Sequence, residues 1–292
     1  MHDDIIDTGT VRLAVRRSGP SPRSAEAQRP VLLVHGLASN ARLWDGVSAR
    51  LGEAGHPVVA VDQRGHGLSQ VPDDGYDTDT CADDLAELVR ALGWVDDLAP
   101  VVAGQSWGGN VVLSLAARHD VVAGVAMVDG GWLRLGGRFA TFEECWQVLA
   151  PPSFDGMRYA ELAERITSMH PDWPPEGVAG TLANLVELPD GGTRARLARE
   201  HHRSIVHSLW LGDPRQLYPR VTVPALLMPA GASVGGQAVD EAAALLPDAQ
   251  VSEYVGADHD LHAQHPARCA LDLHDLADRA DARSRLTKET SA

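Results

Sequence analysis

One segment, VVAGQSWGGNVVLSLAARH (101–119), constrains the fold of this chain more than any other. It begins with an apolar run typical of a buried strand, passes through Gly104-Gln105-Ser106-Trp107-Gly108 and continues in a helical pattern. The serine therefore stands in a sharp turn between a strand and a helix. Such a turn needs small neighbours, because the backbone of the serine is strained and the strand and helix approach closely.

The serine in this turn has two possible roles. A bare G-x-S-x-G sequence occurs often by chance, and the serine then only closes a turn. Here the strand pattern before it and the helical pattern after it favour a nucleophile. The free N–H groups at the start of the helix would also face negative charge that develops beside the serine. Ser106 is the candidate nucleophile.

Apolar or β-branched runs alternate with helical patterns, which predicts an α/β fold with a mostly parallel central sheet and helices on both faces. The segment VRLAVRR (11–17) alternates apolar and polar residues and is predicted as an antiparallel edge strand. The other predicted strands are 31–35, 58–62, 101–104, 121–129, 225–228 and 251–255, and the predicted helices are 42–53, 79–92, 107–118, 239–246 and 266–279.

Residues 133–220 break this alternation. They contain no comparable strand run, and prolines separate their helical segments at 142–149, 159–169 and 194–209. We predict an inserted helical cap at 133–220 and a core domain formed by 1–132 and 221–292. The polar C-terminal residues SRLTKETSA are predicted to fray.

Charge and cysteine usage exclude several classes of partner. Lys and Arg number 25 against 40 Asp and Glu, and the net charge of -15 would be repelled by nucleic acid and by anionic membranes. No apolar run is long enough to span a bilayer and the N-terminus is acidic, so we predict a cytoplasmic protein. The three scattered cysteines suggest neither disulfides nor zinc, and we predict no metal and no cofactor.

Three further segments resemble the α/β-hydrolase family: LLVHGLASNARLWDGV (32–47), VVAVDQRGHGLS (58–69) and VSEYVGADHDLHAQHP (251–266). The resemblance covers nearly the whole chain. It implies that the backbone N–H groups of Leu37 and Trp107 form an oxyanion hole, in which two donors aimed at one point stabilise a tetrahedral anion. It also implies that His35 and His66 support loops.

A serine nucleophile needs a base, and histidine suits this task at neutral pH. The chain has 13 histidines, so position must select among them. The resemblance implies His259, which follows the last strand-like run, and His262 is the main alternative. His201 and His202 are adjacent on a cap helix, point in different directions and are predicted to be solvated or packed rather than metal ligands.

The base in turn needs a carboxylate. In the family this acid usually follows the strand after the cap, but PALLMPAGASVGG (224–236) contains none, and the next acidic residue, Asp240, lies in a predicted helix. Some relatives, among them haloalkane dehalogenases, carry the acid after the strand before the cap, which here ends in Asp129. We predict Asp129; Asp240, Asp258, Asp260 or a site without an acid stay open.

These residues predict a serine hydrolase that cleaves a small ester, lactone or thioester. Ser106 argues against the dehalogenase and epoxide-hydrolase branches, which use Asp. The alternatives are a carbon–carbon bond hydrolase on the same triad and a non-catalytic ligand-binding protein. An apolar or aromatic small-molecule substrate is expected, with the oligomeric state left open. The candidate pocket residues are Trp132, Phe139, Phe142, Trp146 and Met157.

Overall fold

A computed structural model of the chain describes residues 1–154 and 156–291. Its strands are β1 (His2–Asp7), β2 (Arg12–Ser18), β3 (Val31–Val34), β4 (Val58–Val61), β5 (Val101–Gln105), β6 (Gly124–Val128), β7 (Leu185–Glu187), β8 (Thr193–Ala195), β9 (Ala225–Met228) and β10 (Ala249–Val251). Its helices are α1 (Asp45–Glu53), α2 (Thr78–Ala91), α3 (Trp107–Arg118), α4 (Phe142–Leu149), α5 (Tyr159–Met169), α6 (Pro175–Leu182), α7 (Arg199–Leu211), α8 (Gln237–Leu245), α9 (Leu261–Gln264) and α10 (Pro266–Ser291).

Eight strands form one sheet in the order β1-β2-β4-β3-β5-β6-β9-β10. The strands from β4 to β10 in this order are parallel, whereas β2 runs antiparallel to both of its neighbours, β1 and β4. Gln105 pairs with Val128 and Val128 with Met228, so β5, β6 and β9 end side by side. The residues that follow these three strands therefore meet at one edge of the sheet, where open α/β sheets gather their functional groups.

Helices cover both faces of the sheet, as predicted. Alternate strand residues point to opposite faces, so Val102 packs in a cluster with α2 and α3, while Val101 and Ala103 pack in a second cluster with α1 and α10. Because both faces are buried, the central strands contain apolar residues at consecutive positions. The predicted α/β fold with a mostly parallel sheet is confirmed.

The ends of the sheet differ from the prediction. β1 precedes the predicted edge strand and pairs with it over six positions; its sequence HDDIID is largely polar, as suits an exposed edge, and lacks a strand signal. The predicted strand 121–129 is formed only from Gly124. The predicted strand 251–255 is displaced to Ala249–Val251, and Tyr254 forms a single bridge to Ala230.

The predicted frayed C-terminus is instead part of α10, which continues to Ser291. Asp248 pairs with the helix just before this segment, at 2.7 Å to Arg279 and 3.2 Å to Arg283, and Lys288 within it pairs with Asp97 at 2.5 Å. Ala292 lies outside the described residues. The polar composition therefore reflects an exposed helix surface rather than the end of the helix.

Between β6 and β9 the chain forms α4 to α7, with a short antiparallel hairpin of β7 and β8 that the sequence did not predict. The predicted helix 194–209 begins only at Arg199, because residues 193–195 belong to this hairpin. Helix α6 rests directly on the core, since a Cβ at Gly180 would lie 2.9 Å from the backbone nitrogen of Leu43. The cap boundaries at 133 and 220 stay a prediction. In the part of the chain that the structure describes, no helix combines the length and apolarity needed to cross a bilayer.

Candidate active site

Ser106 lies in a strained turn at the end of β5. Its φ of 54° and ψ of −122° are unfavourable for a residue with a side chain, and the helix α3 begins at the next residue. The flanking glycines permit the turn: a Cβ at Gly104 would lie 2.1 Å from the carbonyl oxygen of Gly108, and one at Gly108 would lie 2.4 Å from that of His35. The side chain of Ser106 is half-buried at the edge of the sheet.

Asp129 and His259 form a hydrogen-bonded pair at the same edge. Asp129 follows β6, and its Oδ2 lies 2.6 Å from Nδ1 of His259. Because a carboxylate only accepts, Nδ1 carries the proton and Nε2 is left as the free acceptor. The Asp129 side chain is 8% exposed, whereas that of His259 is 54% exposed. The pair is therefore anchored at the acid and open to solvent at the imidazole.

The loop that lacks an acid still contributes to this pair. The backbone N–H of Ala230, within PALLMPAGASVGG, donates to Oδ1 of Asp129 at 3.1 Å. Each oxygen of the carboxylate thus has its own donor, which fixes the plane of the side chain. Sequence reasoning missed Ala230, because its contribution is a main-chain group and no side-chain type marks it.

Gln105 is a second residue that sequence reasoning missed. Its side-chain Nε2 donates to the carbonyl oxygen of His259 at 3.2 Å and so ties the histidine loop to the end of β5. The position before the serine accepts any residue in G-x-S-x-G, so the motif gives no signal for this contact. Gln105 is buried and acts on the backbone of His259, not on its imidazole.

The loop after β3 approaches the serine closely. A Cβ at Gly36 would lie 3.1 Å from Cβ of Ser106, which places the next residue, Leu37, beside the nucleophile. Within residues 1–154 and 156–291, the backbone N–H groups of Leu37 and Trp107 have no hydrogen-bond acceptor. Unpaired donors beside the serine are what an oxyanion hole would need, and this role for Leu37 and Trp107 stays a prediction.

His35 and His66 hold this loop in place. Nδ1 of His35 donates to the carbonyl of Gly36 at 2.7 Å, and Nε2 of His66 accepts from the N–H of Ala38 at 3.3 Å. Burial lowers the pKa of His35 to about 4 and, with the neighbouring His35 ring, that of His66 to about 3. Both imidazoles are neutral supports at physiological pH, which agrees with the structural roles that the family resemblance implies.

The alternative candidates lie apart from the pair or serve other contacts. His262 is buried against the Trp44 ring at a centroid distance of 4.2 Å, and burial lowers its pKa to about 3. Asp240 is exposed on α8. The Asp258 carboxylate accepts a hydrogen bond from the indole of Trp173 in the cap region, at 2.8 Å. The carboxylate hydrogen-bonded to His259 is that of Asp129.

Asp260 lies next to the histidine in sequence. Burial raises the pKa of its carboxyl group, and the charge of His259 acts on it in the opposite direction. Among the described residues its side chain makes no hydrogen bond to the imidazole. It therefore affects His259 only through its charge.

The five predicted pocket residues occupy the region between β6 and β9. Phe142 and Trp146 pack against α7, where the Phe142 ring lies 4.6 Å from that of His207 and the Trp146 ring 5.9 Å from that of His202. The others range from the buried Trp132 and the half-buried Phe139 to Met157, which is 38% exposed. Their role as a substrate wall stays a prediction.

His259 should titrate above the ordinary imidazole value of 6.5, because its hydrogen bond to Asp129 raises the pKa more than partial desolvation lowers it. We expect the NMR titration of its C2 proton to have a midpoint above 6.5. A raised folded-state pKa stabilises the fold fully below the unfolded-state pKa, and this contribution is lost as pH rises through the folded-state value.

Asp129→Asn is the matched control, because it removes the charge and keeps the shape. The His259 midpoint should then fall. A wild-type midpoint at or below 6.5, or the same midpoint in both proteins, would contradict this assignment.

The described residues were compared with what a metal site or a reactive thiol would need. In residues 1–154 and 156–291, no group of three or more His, Cys, Asp or Glu side chains could hold a metal ion. Cys81, Cys145 and Cys269 are buried and free, and burial raises the pKa of all three thiols.

Comparison with known proteins gives a family match and relatives of full and partial length. A family model described as the alpha/beta hydrolase family matches residues 31–273. The 2-(acetamidomethylene)succinate hydrolase of Mesorhizobium japonicum is 27% identical over 272 residues, which are 89% of this chain and 90% of that protein. An esterase of Mycobacterium tuberculosis is 37% identical over 118 residues, which are 40% of this chain and 35% of the esterase.

Solved structures share the fold. The crystal structure of E-2-(acetamidomethylene)succinate hydrolase matches with a TM-score of 0.76 and 24% identity, covering 95% of this chain and 99% of that one. At this identity the similarity establishes the common fold and leaves the reaction to be inferred from the site.

Proposed function

Because this chain belongs to the alpha/beta hydrolase family, we propose that it is a serine hydrolase that cleaves a small ester, lactone or thioester through an acyl-enzyme. The observation that carries the proposal is the hydrogen bond between Asp129 and His259 at the sheet edge where the Ser106 turn lies. A nucleophile and an orienting acid at adjacent strand ends, with a base hydrogen-bonded to the acid, form the unit that acyl transfer requires.

The proposed reaction has two stages, acylation of Ser106 and hydrolysis of the acyl-enzyme, and His259 transfers a proton in both. Nε2 of His259 takes the proton of Ser106 as the hydroxyl attacks the carbonyl carbon, and Asp129 stabilises the imidazolium. The N–H groups of Leu37 and Trp107 bind the oxyanion. His259 then gives its proton to the leaving alcohol or thiol. In the second half it activates water, which releases the acid and regenerates Ser106.

The substrate proposed is a small apolar or aromatic molecule, and the reaction needs no cofactor. Two observations support this class. The side chain of His259 is 54% exposed, so the imidazole is open to substrate and water. The region between β6 and β9 carries a dense group of aromatic side chains, the predicted wall of the pocket.

A second candidate reaction is suggested by a relative of full length. The Mesorhizobium japonicum protein, which covers 89% of this chain, is named for hydrolysis of 2-(acetamidomethylene)succinate. Carbon–carbon bond hydrolysis on the same triad is the further alternative. Both would use Ser106 and His259, so substrate profiling has to separate them.

The test combines a covalent probe with a substrate panel. We expect a fluorophosphonate to label the chain on Ser106, identified by mass spectrometry of the tryptic peptide, and p-nitrophenyl acetate and butyrate to be turned over. The panel also includes lactones, thioesters, a vinylogous diketone and 2-(acetamidomethylene)succinate. Labelling with turnover confined to the last two would replace the ester assignment. Absence of both labelling and turnover would favour a non-catalytic ligand-binding protein.

A further inference from the structure

A cavity of about 470 Å³ lies between the core and the segment that joins β6 to β9. Its core wall includes Arg16 on β2, Asn40 and Arg42 in the loop after β3, and Leu68 in the loop after β4. Its other wall is formed by Tyr159, Ala179, Leu182, Ala183, Leu185 and Arg196. Cavities at such seams are common places for small molecules to bind.

The cavity lies at the same sheet edge as Ser106. Asp62, which follows β4, lines it. In the sheet order, β4 is two strands away from β5, and this corresponds to roughly 10 Å at the usual strand spacing. The loop after β3 lies between the cavity and Ser106. Gly36 in this loop approaches Ser106, whereas Asn40 and Arg42 line the cavity.

Several charged side chains in the cavity wall already have hydrogen-bond partners. Arg16 makes two hydrogen bonds to Asp45, at 2.8 and 3.0 Å, and one to Asp3. Asp62 accepts the backbone N–H groups of Ala41 and Leu68, one on each oxygen. These groups therefore offer little to a ligand.

Arg42 and Arg196 are different. Among the described residues neither forms an ion pair with a carboxylate. The side-chain donors of Arg42 make no hydrogen bond within the described part of the chain, and Arg196 uses only Nε, which donates to the carbonyl of Ala183 at 2.7 Å. The positive charge of Arg42 acts on the carboxylate of Asp45, which Arg16 already binds. Arg42 is exposed and Arg196 is half-buried, and both line the same cavity. In a chain with a net charge of -15, this cavity wall thus carries two guanidinium groups that have no carboxylate partner among the described residues.

We propose that this cavity is a binding site for a small organic anion, a carboxylate or phosphate on a short apolar stem, held by Arg42 and Arg196. Guanidinium groups match the planar oxygens of these anions with two parallel N–H donors. The side-chain amide of Asn40 is not available to bind the anion, because it already donates hydrogen bonds to Gly180 and Asn184. Leu68, Leu182 and Leu185 provide the apolar surface for the stem.

The proposal is tested by binding, independently of catalysis. Hexanoate and hexyl phosphate are titrated into the Ser106→Ala chain, with 1-hexanol as the uncharged probe, and amide chemical shifts are followed by NMR. We expect saturable shifts at Asn40 and Ala183 with both anions and weak ones with hexanol. Added salt should weaken the binding.

Two variants and a matched control locate the site. Arg42→Gln and Arg196→Gln should each weaken anion binding by about tenfold or more, since each removes charge-assisted hydrogen bonds. Arg194→Gln is the control, because Arg194 is exposed, does not line the cavity and donates a hydrogen bond to the carbonyl of its neighbour Ala195. Its affinity should equal that of the parent. Melting temperatures without ligand check that each variant folds. If Arg196→Gln does not fold, Arg42→Gln still tests the proposal, because the side chain of Arg42 makes no hydrogen bond in the described part of the chain.

The results decide both the site and the chemistry. Affinity unchanged by both arginine variants, or shifts confined to Leu37 and Trp107, would overturn the proposal. Equal binding of hexanol would show a purely apolar cavity and also overturn it. Stronger binding of hexyl phosphate than of hexanoate, or the reverse, identifies the headgroup that the site prefers.

Discussion

Ser106→Ala is expected to lower kcat for p-nitrophenyl butyrate by about 10⁴-fold or more, because the acyl-enzyme cannot form and only oxyanion stabilisation and binding remain. The strained backbone at Ser106, with φ of 54°, belongs to the turn and is tolerated equally by alanine and serine. The substitution should therefore leave the fold intact. Steady-state kinetics and circular dichroism check the two halves of this expectation.

Ser233→Ala is the matched control for the nucleophile. Ser233 lies in the short helical turn after β9, at the same sheet edge, and is also half-buried. It should retain activity and should still be labelled by the fluorophosphonate. Turnover that survives Ser106→Ala would remove the serine mechanism, whatever the effect of the control.

Asp129→Asn is expected to lower kcat by about 10⁴-fold, through the wrong imidazole tautomer. The surroundings of the side chain give the reason. The N–H of Ala230 donates to Oδ1, so it would hold the oxygen of the asparagine and turn the amide NH₂ toward Nδ1 of His259. Nδ1 would then have to accept, and Nε2 would carry the proton and face the serine as a donor.

Asp240→Asn separates this effect from a general loss of negative charge. Asp240 lies on the exposed side of α8, after the strand end where the family usually has its acid. The same change in charge there should leave kcat within a few-fold of the parent. Equal and small effects of the two substitutions would show that Asp129 is not the third member of the triad.

The sheet could be predicted because burial on both faces leaves an unmistakable trace in the sequence. Runs such as VLLV and VVAV, rich in β-branched residues, are typical of strands covered on both faces, and the glycines around Ser106 indicate the tight turn. β1 and the hairpin of β7 and β8 could not be predicted. The first is polar and exposed, and the strands of the second are three residues long, too short to show an alternation.

The candidate site was predictable to the extent that it consists of side chains. Ser106 was predicted from its turn motif, and Asp129 and His259 from their positions after strands together with what the family resemblance implies. Ala230 was not, because its amide is the same in every residue but proline, and its value depends on where β9 ends relative to β6. The two arginines of the proposed anion site could not be predicted either, since Arg42 and Arg196 come to line one cavity only because the hairpin region docks on the core.

Burial separates His259 from the other histidines considered for this site. Burial lowers the pKa values of His35, His66 and His262 to about 4, 3 and 3. His259, by contrast, is exposed, and its hydrogen bond to Asp129 raises its pKa. In the proposed mechanism a proton that leaves Ser106 therefore goes to His259, and the positive charge it creates appears beside the carboxylate of Asp129.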